Sequence, residues 1–182
     1  MENIDYDLLK INLKKIVSKI FSDYIKEFGT KDIGGFALYS AEDGMSVSIN
    51  TLNYLENSIK NDPENELDYK FNVEKWNKKI ENKDIDDYNI VLQGYYIEMN
   101  KRRPLEQRLK HTENIYKLSV EALYELKEED CFKNMNNEFI LLVAASRTDE
   151  KLILEYNKKY NSKNAGDEYY QWAFEQNDMS KS

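Results

Sequence analysis

The sequence predicts a single α+β domain: a mainly antiparallel sheet of three to four strands packed with several α-helices. Three observations carry that expectation. Residues 4–28 repeat apolar side chains at mostly three- and four-residue steps, the pattern of an amphipathic helix. Phe36–Ser40 and Met45–Ile49 alternate on either side of an Asp-Gly pair, the pattern of a hairpin. Phe139–Ala145 is apolar at every position, as a strand covered on both faces would be. A chain of 182 residues fits one domain, and 41% hydrophobic with 13% aromatic residues supply its core.

The elements follow in order. The first helix places Ile4, Leu8, Ile11, Ile16, Ile20, Tyr24 and Phe28 on its main stripe, widened by Val17, Phe21 and Ile25. Asn3 or Asp5 can cap its start, and Gly29 stands just past its end. So wide a stripe needs a large partner, most simply the sheet. In the hairpin Phe36 and Leu38 share a face, as do Met45, Val47 and Ile49. Thr51 reads as the cap of a short helix with the edge Leu52, Leu55 and Ile59, stopped by Asn61-Asp62-Pro63. Residues 61–66 read as a polar loop. Leu67–Phe71 alternates and reads as a third strand, after which Asn72 caps a short helical turn presenting Trp76.

Residues 85–101 are strand-like in composition, yet Ile85, Tyr88, Leu92, Tyr95 and Met99 step by three and four. The spacing predicts a helix in spite of Gly94. Arg103-Pro104 breaks it, and Pro104 opens the next helix, whose stripe is Leu105, Leu109, Tyr116, Leu123 and Leu126. Glu128-Glu129-Asp130 ends that helix. Phe139–Ala145 then reads as a central strand. Asp149 caps a further helix with Leu152, Ile153, Tyr156 and Tyr160, residues 161–164 form a turn, and the aromatic tail 165–182 docks on the body.

Composition excludes several function classes. There are 34 acidic and 26 basic residues, a net charge of −8. That disfavours direct nucleic-acid binding and an anionic membrane surface. No apolar run approaches the roughly 20 residues of a membrane span. The N-terminus is acidic with no signal-peptide core behind it. The single cysteine, Cys131, has no internal disulfide partner, so a cytoplasmic protein is expected. Frequent Lys, Asn and Ile read as the codon usage of an AT-rich, bacterial genome. One His and one Cys do not furnish a structural zinc site, and there is no Walker-type loop or dinucleotide fingerprint. No cofactor is expected.

Each candidate for chemistry has a plain structural counterpart. His111 as a general base needs an orienting carboxylate and a nucleophile that the sequence does not place, and it reads as a partly buried structural residue. Cys131 follows three acids, which raise a thiol pKa, and reads as a small buried residue beside Phe132. Asp84, Asp86 and Asp87, and likewise Glu128 and Glu129, can hold a cation or face a basic partner. At helix ends they also favour the dipole and need no partner; their spacing is not that of a calcium loop. Asp43 and Met45 at the hairpin tip are candidate recognition residues or parts of a plain turn. Trp76 is a candidate interface anchor or a core residue. Of fourteen tyrosines, Tyr95-Tyr96 and Tyr169-Tyr170 are adjacent pairs in which at least one ring faces outward.

The run Phe36-Ala-Leu-Tyr-Ser-Ala-Glu-Asp-Gly-Met45 resembles the opening signature of a bacterial family catalogued as domain of unknown function 4303 (DUF4303). Glu74-Lys75-Trp76 resembles its Glu-x-Trp element. Leu123–Phe132 resembles its helix ending in an acidic step and Phe, and Phe139–Ala145 with Ser146-Arg147-Thr148-Asp149 resembles its closing strand and acidic turn. The likeness runs in order over residues 5–155. It departs at Asp130-Cys131, where the family has a Gly near the Phe, and in the rather long 85–104 region. The resemblance implies a small cytoplasmic protein whose relatives are associated with toxin-immunity and conflict loci, and it brings no catalytic motif.

The expectation is therefore a non-enzymatic interaction protein of immunity or inhibitor type. It binds and neutralises a protein partner, a basic toxin or effector, through an acidic and tyrosine-rich surface. The residues expected there are Asp43, Met45, Trp76, Asp84, Asp86, Asp87, Tyr95, Tyr96, Glu128 and Glu129. Two alternatives stand beside it: a hydrolase using carboxylates with a recruited metal, and a regulatory subunit with no inhibitory role.

Overall fold

The computed structural model describes residues 4–41, 43–145 and 151–179. Asn3, the turn 146–149 with its Asp149 cap, and the last three residues of the tail lie outside the described residues. Helix α1, Tyr6–Phe28, starts at Asp5, whose carboxylate accepts the Leu8 N–H at 2.9 Å. It stops at Gly29, which takes φ 77° and donates its N–H to the Ile25 carbonyl at 2.8 Å. The buried line of α1 is Leu9, Leu13, Val17, Ile20 and Phe21. The stripe expected from spacing is right in part: Val17, Ile20 and Phe21 are buried and Ile4, Ile16, Tyr24 and Ile25 pack against the core, while Leu8, Ile11 and Phe28 are exposed. This helix is apolar on two adjoining faces, so periodicity does not choose between them. Packing along a second helix does. Lys10 and Lys14 reach Glu121, Glu125 and Glu129 at 2.6–3.2 Å, on and just past α5, Leu105–Glu128.

The hairpin forms as the sequence predicts. Strands β1, Ile33–Ala41, and β2, Gly44–Thr51, pair antiparallel with Phe36 opposite Ile49 and Ser40 opposite Met45. Thr51 accepts the Tyr54 N–H and caps α2, Leu52–Asn61. Strand β3, Lys78–Ile80, adds antiparallel to β2, and β4, Ile140–Ala145, lies parallel to β1. The order is β3-β2-β1-β4, a mixed four-stranded sheet. The chain is α+β, with one parallel pairing that the hairpin pattern did not announce.

Three sequence readings are corrected. Leu67–Phe71 is not a strand but most of helix α3, Glu66–Phe71, and the third strand is Lys78–Ile80. Five alternating residues do not distinguish a strand from one and a half turns of helix. Here Phe71 docks edge-on to Tyr169 at 5.6 Å and lies 6.1 Å from Trp172, which holds the segment against helix α7, Lys163–Met179. Strand β4 sits at the sheet edge, not its centre. Its apolar composition reports helices above and below, not hydrogen-bond neighbours on both sides. Leu105 and Leu109 are exposed. Helices α1 and α5 run side by side, and among the described residues their contact begins where Tyr6 Oη meets His111 Nδ1 at 2.7 Å, past the first turn of α5.

Asparagines complete the β4 edge and the part of β2 that β3 leaves unpaired. From α6, Lys151–Tyr160, Asn157 accepts the Val143 N–H at 2.9 Å and donates to the Val143 carbonyl at 2.7 Å. Asn161 makes the same pair of bonds with Leu141, both at 2.8 Å. Each carboxamide stands in for one residue of a missing strand. At the other edge β3 is three residues long and carries Lys78 and Lys79, both devices that discourage strand addition. Asn89, on helix α4, Lys83–Arg102, bonds the Met45 N–H at 2.7 Å and the Met45 carbonyl at 2.9 Å.

Helices cover both faces. Against α1, α4 and α5 pack Phe36, Leu38, Val47, Ile49, Leu141 and Val143. The opposite face carries Ala37, Ile140 and Leu142 against Phe71, Trp76, Tyr169 and Trp172. Helix α7 crosses α6 at Gly166, where any Cβ would fall inside contact distance of the Lys158 carbonyl oxygen. Gly166→Ala is expected to cost about 2 kcal/mol by forcing the two backbones apart; a denaturant midpoint equal to wild type refutes this.

The α3–α7 contact is also pH-sensitive. Asp68 accepts from Trp172 Nε1 and from Asn72 Nδ2, each at 3.2 Å, and pairs with Lys75. Burial pushes its carboxyl up, but the bonds from Lys75, Asn72 and Trp172 outweigh burial and hold it below the ordinary carboxylate range. A depressed folded pKa stabilises the protein above the unfolded value of about 4, and the contribution is lost as pH falls through the folded one. Glu125, held low by Lys14 and Lys10, acts with the same sign. The melting temperature should fall on acidification below about pH 4. Asp68→Asn should melt lower at neutral pH and show a shallower acid fall.

Candidate functional site

The structure scatters the residues proposed from sequence. Met45 and Trp76 are buried, so neither offers a side chain to a partner. Met45 faces the core beside Ser119, and the Trp76 ring lies on Gly35, 2.8 Å from where a Cβ would stand. The two corrections share a cause: a tight hairpin and a capped turn bring these side chains back onto the sheet. Asp43 is exposed at the tip, which rests on α4 through Asn89. Asp86 is exposed on the same helix, while Asp84 pairs with Lys19 at 2.6 Å and Asp87 with Lys83 at 2.5 Å. Tyr95 and Tyr96 are half-buried. Glu128 is exposed, and Glu129 is spent on Lys14 at 2.6 Å.

The groups with potential chemistry are engaged structurally. His111 is buried and ties α5 to Tyr6. Burial pushes the Cys131 thiol up, with Glu129 adding to the shift and a Ser18 contact opposing it, which leaves little thiolate at neutral pH. Among the described residues no three His, Cys, Asp or Glu side chains converge as a metal site.

Two of the molecule's concavities lie against the sheet. One, of about 340 Å³, opens at the carboxyl ends of the parallel pair β1 and β4, under Tyr39, Phe71, Glu74, Tyr169 and Trp172. Burial, and then Glu74, push the Tyr39 hydroxyl above its ordinary value. The other, of about 660 Å³, is a groove between α2, α3 and the start of α7. Its floor is apolar: Leu52, Leu55 and Ile59 from α2, with Ile140 from β4. Its rim carries Glu56, Glu66, Glu138 and Glu168 against Lys70 and Lys163. Four carboxylates against two ammonium groups leave two negative charges, and Lys70 is already held by Glu168 at 2.5 Å.

Sequence reasoning found the apolar edge of this groove but not its rim. The helix reading of 52–59 gave Leu52, Leu55 and Ile59 one face. The rim comes from segments some hundred residues apart, around Glu56, Glu66, Glu138 and Glu168, and only the α3–α7 packing brings them together. The nearest local signal is the acidic run Asp62, Glu64 and Glu66, within and next to the segment read as a polar loop.

What the fold and the groove define is a helix-covered α+β domain whose open concavity is acidic at the rim and apolar at the floor. Residues 13–162 match the model of a family described as a domain of unknown function (DUF4303), well over half of the chain. The protein belongs to that family. No curated protein and no solved structure matches it.

Proposed function

We propose that this is a binding protein of immunity or inhibitor type that engages a basic protein partner in the α2–α3–α7 groove, acting in the cytoplasm. The observation that carries the reading is the groove itself, an apolar floor under a rim with two excess negative charges. A basic segment with one apolar face satisfies both. The net charge of −8 supplies a field that speeds encounter with such a partner. The asparagine-covered β4 edge and the short, lysine-bearing β3 favour docking on helices over strand addition. The family resemblance to toxin-immunity loci points the same way. The metal-dependent hydrolase reading gains no observation among the described residues.

The test compares three tagged chains expressed in the native host: wild type, Glu56→Lys with Glu66→Lys, and the control Glu175→Lys on the outer side of α7. The expected result is one stoichiometric basic protein retained by wild type and control. It should elute at roughly 0.5 M salt and be missing from the groove variant. A partner that the groove variant holds as tightly as wild type overturns the assignment to this groove; a partner that stays bound at high salt overturns its electrostatic basis.

A further inference from the structure

We infer that the outward face of α4 is a self-association surface, on which two copies of this chain pack antiparallel about Gly94. The proposal is independent of the groove. Ile90, Val91 and Ile97 are 67%, 46% and 49% exposed, an unusual concentration of branched apolar side chains in water on one short stretch. They surround Gly94, which is exposed at the centre of this face. A Cβ added there would meet nothing of its own chain within 4 Å. A helix-interior glycine costs about 1 kcal/mol relative to alanine, and no contact within the chain accounts for it. Between two helices it allows the axes to approach to roughly 8 Å.

Charge says what covers the face. With 3.6 residues per turn, Asp87, Ile90, Gly94, Ile97 and Lys101 fall along one line. In a two-fold antiparallel pair centred on Gly94, residues equally far before and after it come level with one another. Asp87 precedes Gly94 by seven positions and Lys101 follows it by seven. Each Asp87 therefore meets the Lys101 of the second copy, about 10 Å from the axis. Ile97 of each helix comes level with Val91 of the other, and Ile90, four positions before Gly94, comes level with Glu98 and within one residue's rise, about 1.5 Å, of Ile97. The Asp87–Lys101 pairing and the cluster of Ile90, Val91 and Ile97 are complementary to themselves across the two-fold, the requirement of an isologous interface. Within one chain Asp87 pairs with Lys83, but those side chains are 57% and 83% exposed, so that pair is weak and exchanges readily.

A single helix pair buries less than a standard interface, so a weak dimer is expected, with Kd of roughly 10–100 µM. The test is sedimentation equilibrium of the full chain from roughly 5 to 500 µM at low salt, a range chosen to span that Kd, with thermal melts confirming that each variant is folded. Wild type should dimerise and Ile97→Glu should be monomeric throughout. Asp87→Lys and Lys101→Asp should each weaken association at least tenfold, because both copies of the contact become like-charged. The double swap, Asp87→Lys with Lys101→Asp, should return the Kd to within about threefold of wild type. A monomeric wild type over the whole range, association untouched by Ile97→Glu, or a double swap as weak as its singles each overturns the proposal.

Discussion

Replacing Asn157 by alanine should destabilise the protein by roughly 3 kcal/mol, although Asn157 itself lines neither concavity. Asn157 is buried, and its carboxamide is the partner of both the N–H and the carbonyl of Val143. Alanine leaves two strand groups without partners on an edge that α6 covers from water. Each such orphan costs about 1–3 kcal/mol. Over a chain of this length the loss corresponds to a fall in melting temperature of roughly 6–12 °C. Asn157→Asp keeps an acceptor for the Val143 N–H but sets a carboxylate against the Val143 carbonyl, so it should not rescue. Asn161→Ala should cost less, about 1–2 kcal/mol, because Asn161 is only half-buried and water can reach Leu141. Urea titrations of the three variants check the ranking. An Asn157→Ala midpoint within error of wild type would mean that the β4 edge is satisfied in some other way.

That device also marks what the sequence left hidden. Asn157 and Asn161 stand four residues apart at the end of an ordinary amphipathic helix, where asparagine usually reads as a turn or cap residue. Nothing local says that their amides complete a strand. What was legible came from local geometry. The Asp-Gly hairpin, the cap residues Asp5, Thr51 and Asn72, and the break at Pro104 each depend on residues a few positions away. The helix over 85–101 was legible despite its β-branched composition because Ile85, Tyr88 and Leu92 do face the core. Which side of the broad α1 stripe is buried, the helical state of Leu67–Phe71 and the edge position of β4 depend on contacts with α5, α7 and α6, which spacing does not encode. The groove follows the same division: its floor was readable as one helix face, and its rim is assembled by tertiary packing. Met45 and Trp76 went the other way, since residue types favoured at interfaces are favoured in cores for the same apolar area.

The largest single loss is expected at Phe21. It is 1% exposed and stands where α1, the sheet and the chain leading into β4 converge. Its ring meets Phe36 edge-on at 5.2 Å, Phe132 at 4.6 Å and Phe139 at 6.3 Å. Phe36 in turn lies 5.6 Å from Phe132, and Phe132 stacks on Phe139 at 5.8 Å. Truncating the shared member removes the burial of one ring and three ring–ring contacts, and it leaves a cavity walled by strands and helices that have little room to collapse. Phe21→Ala should cost about 4–5 kcal/mol, a third or more of the stability of a typical domain. Phe21→Leu keeps most of the volume and loses the edge interactions, so about 1.5 kcal/mol is expected. The contrast with Phe28 is the control. Phe28 is exposed at the end of the same helix, where its ring meets Tyr24 at 4.7 Å. Phe28→Ala should stay within about 0.5 kcal/mol of wild type. Equal losses at the two positions, measured by urea unfolding, would mean that α1 does not bury its Leu13, Val17 and Phe21 side in preference to Phe28.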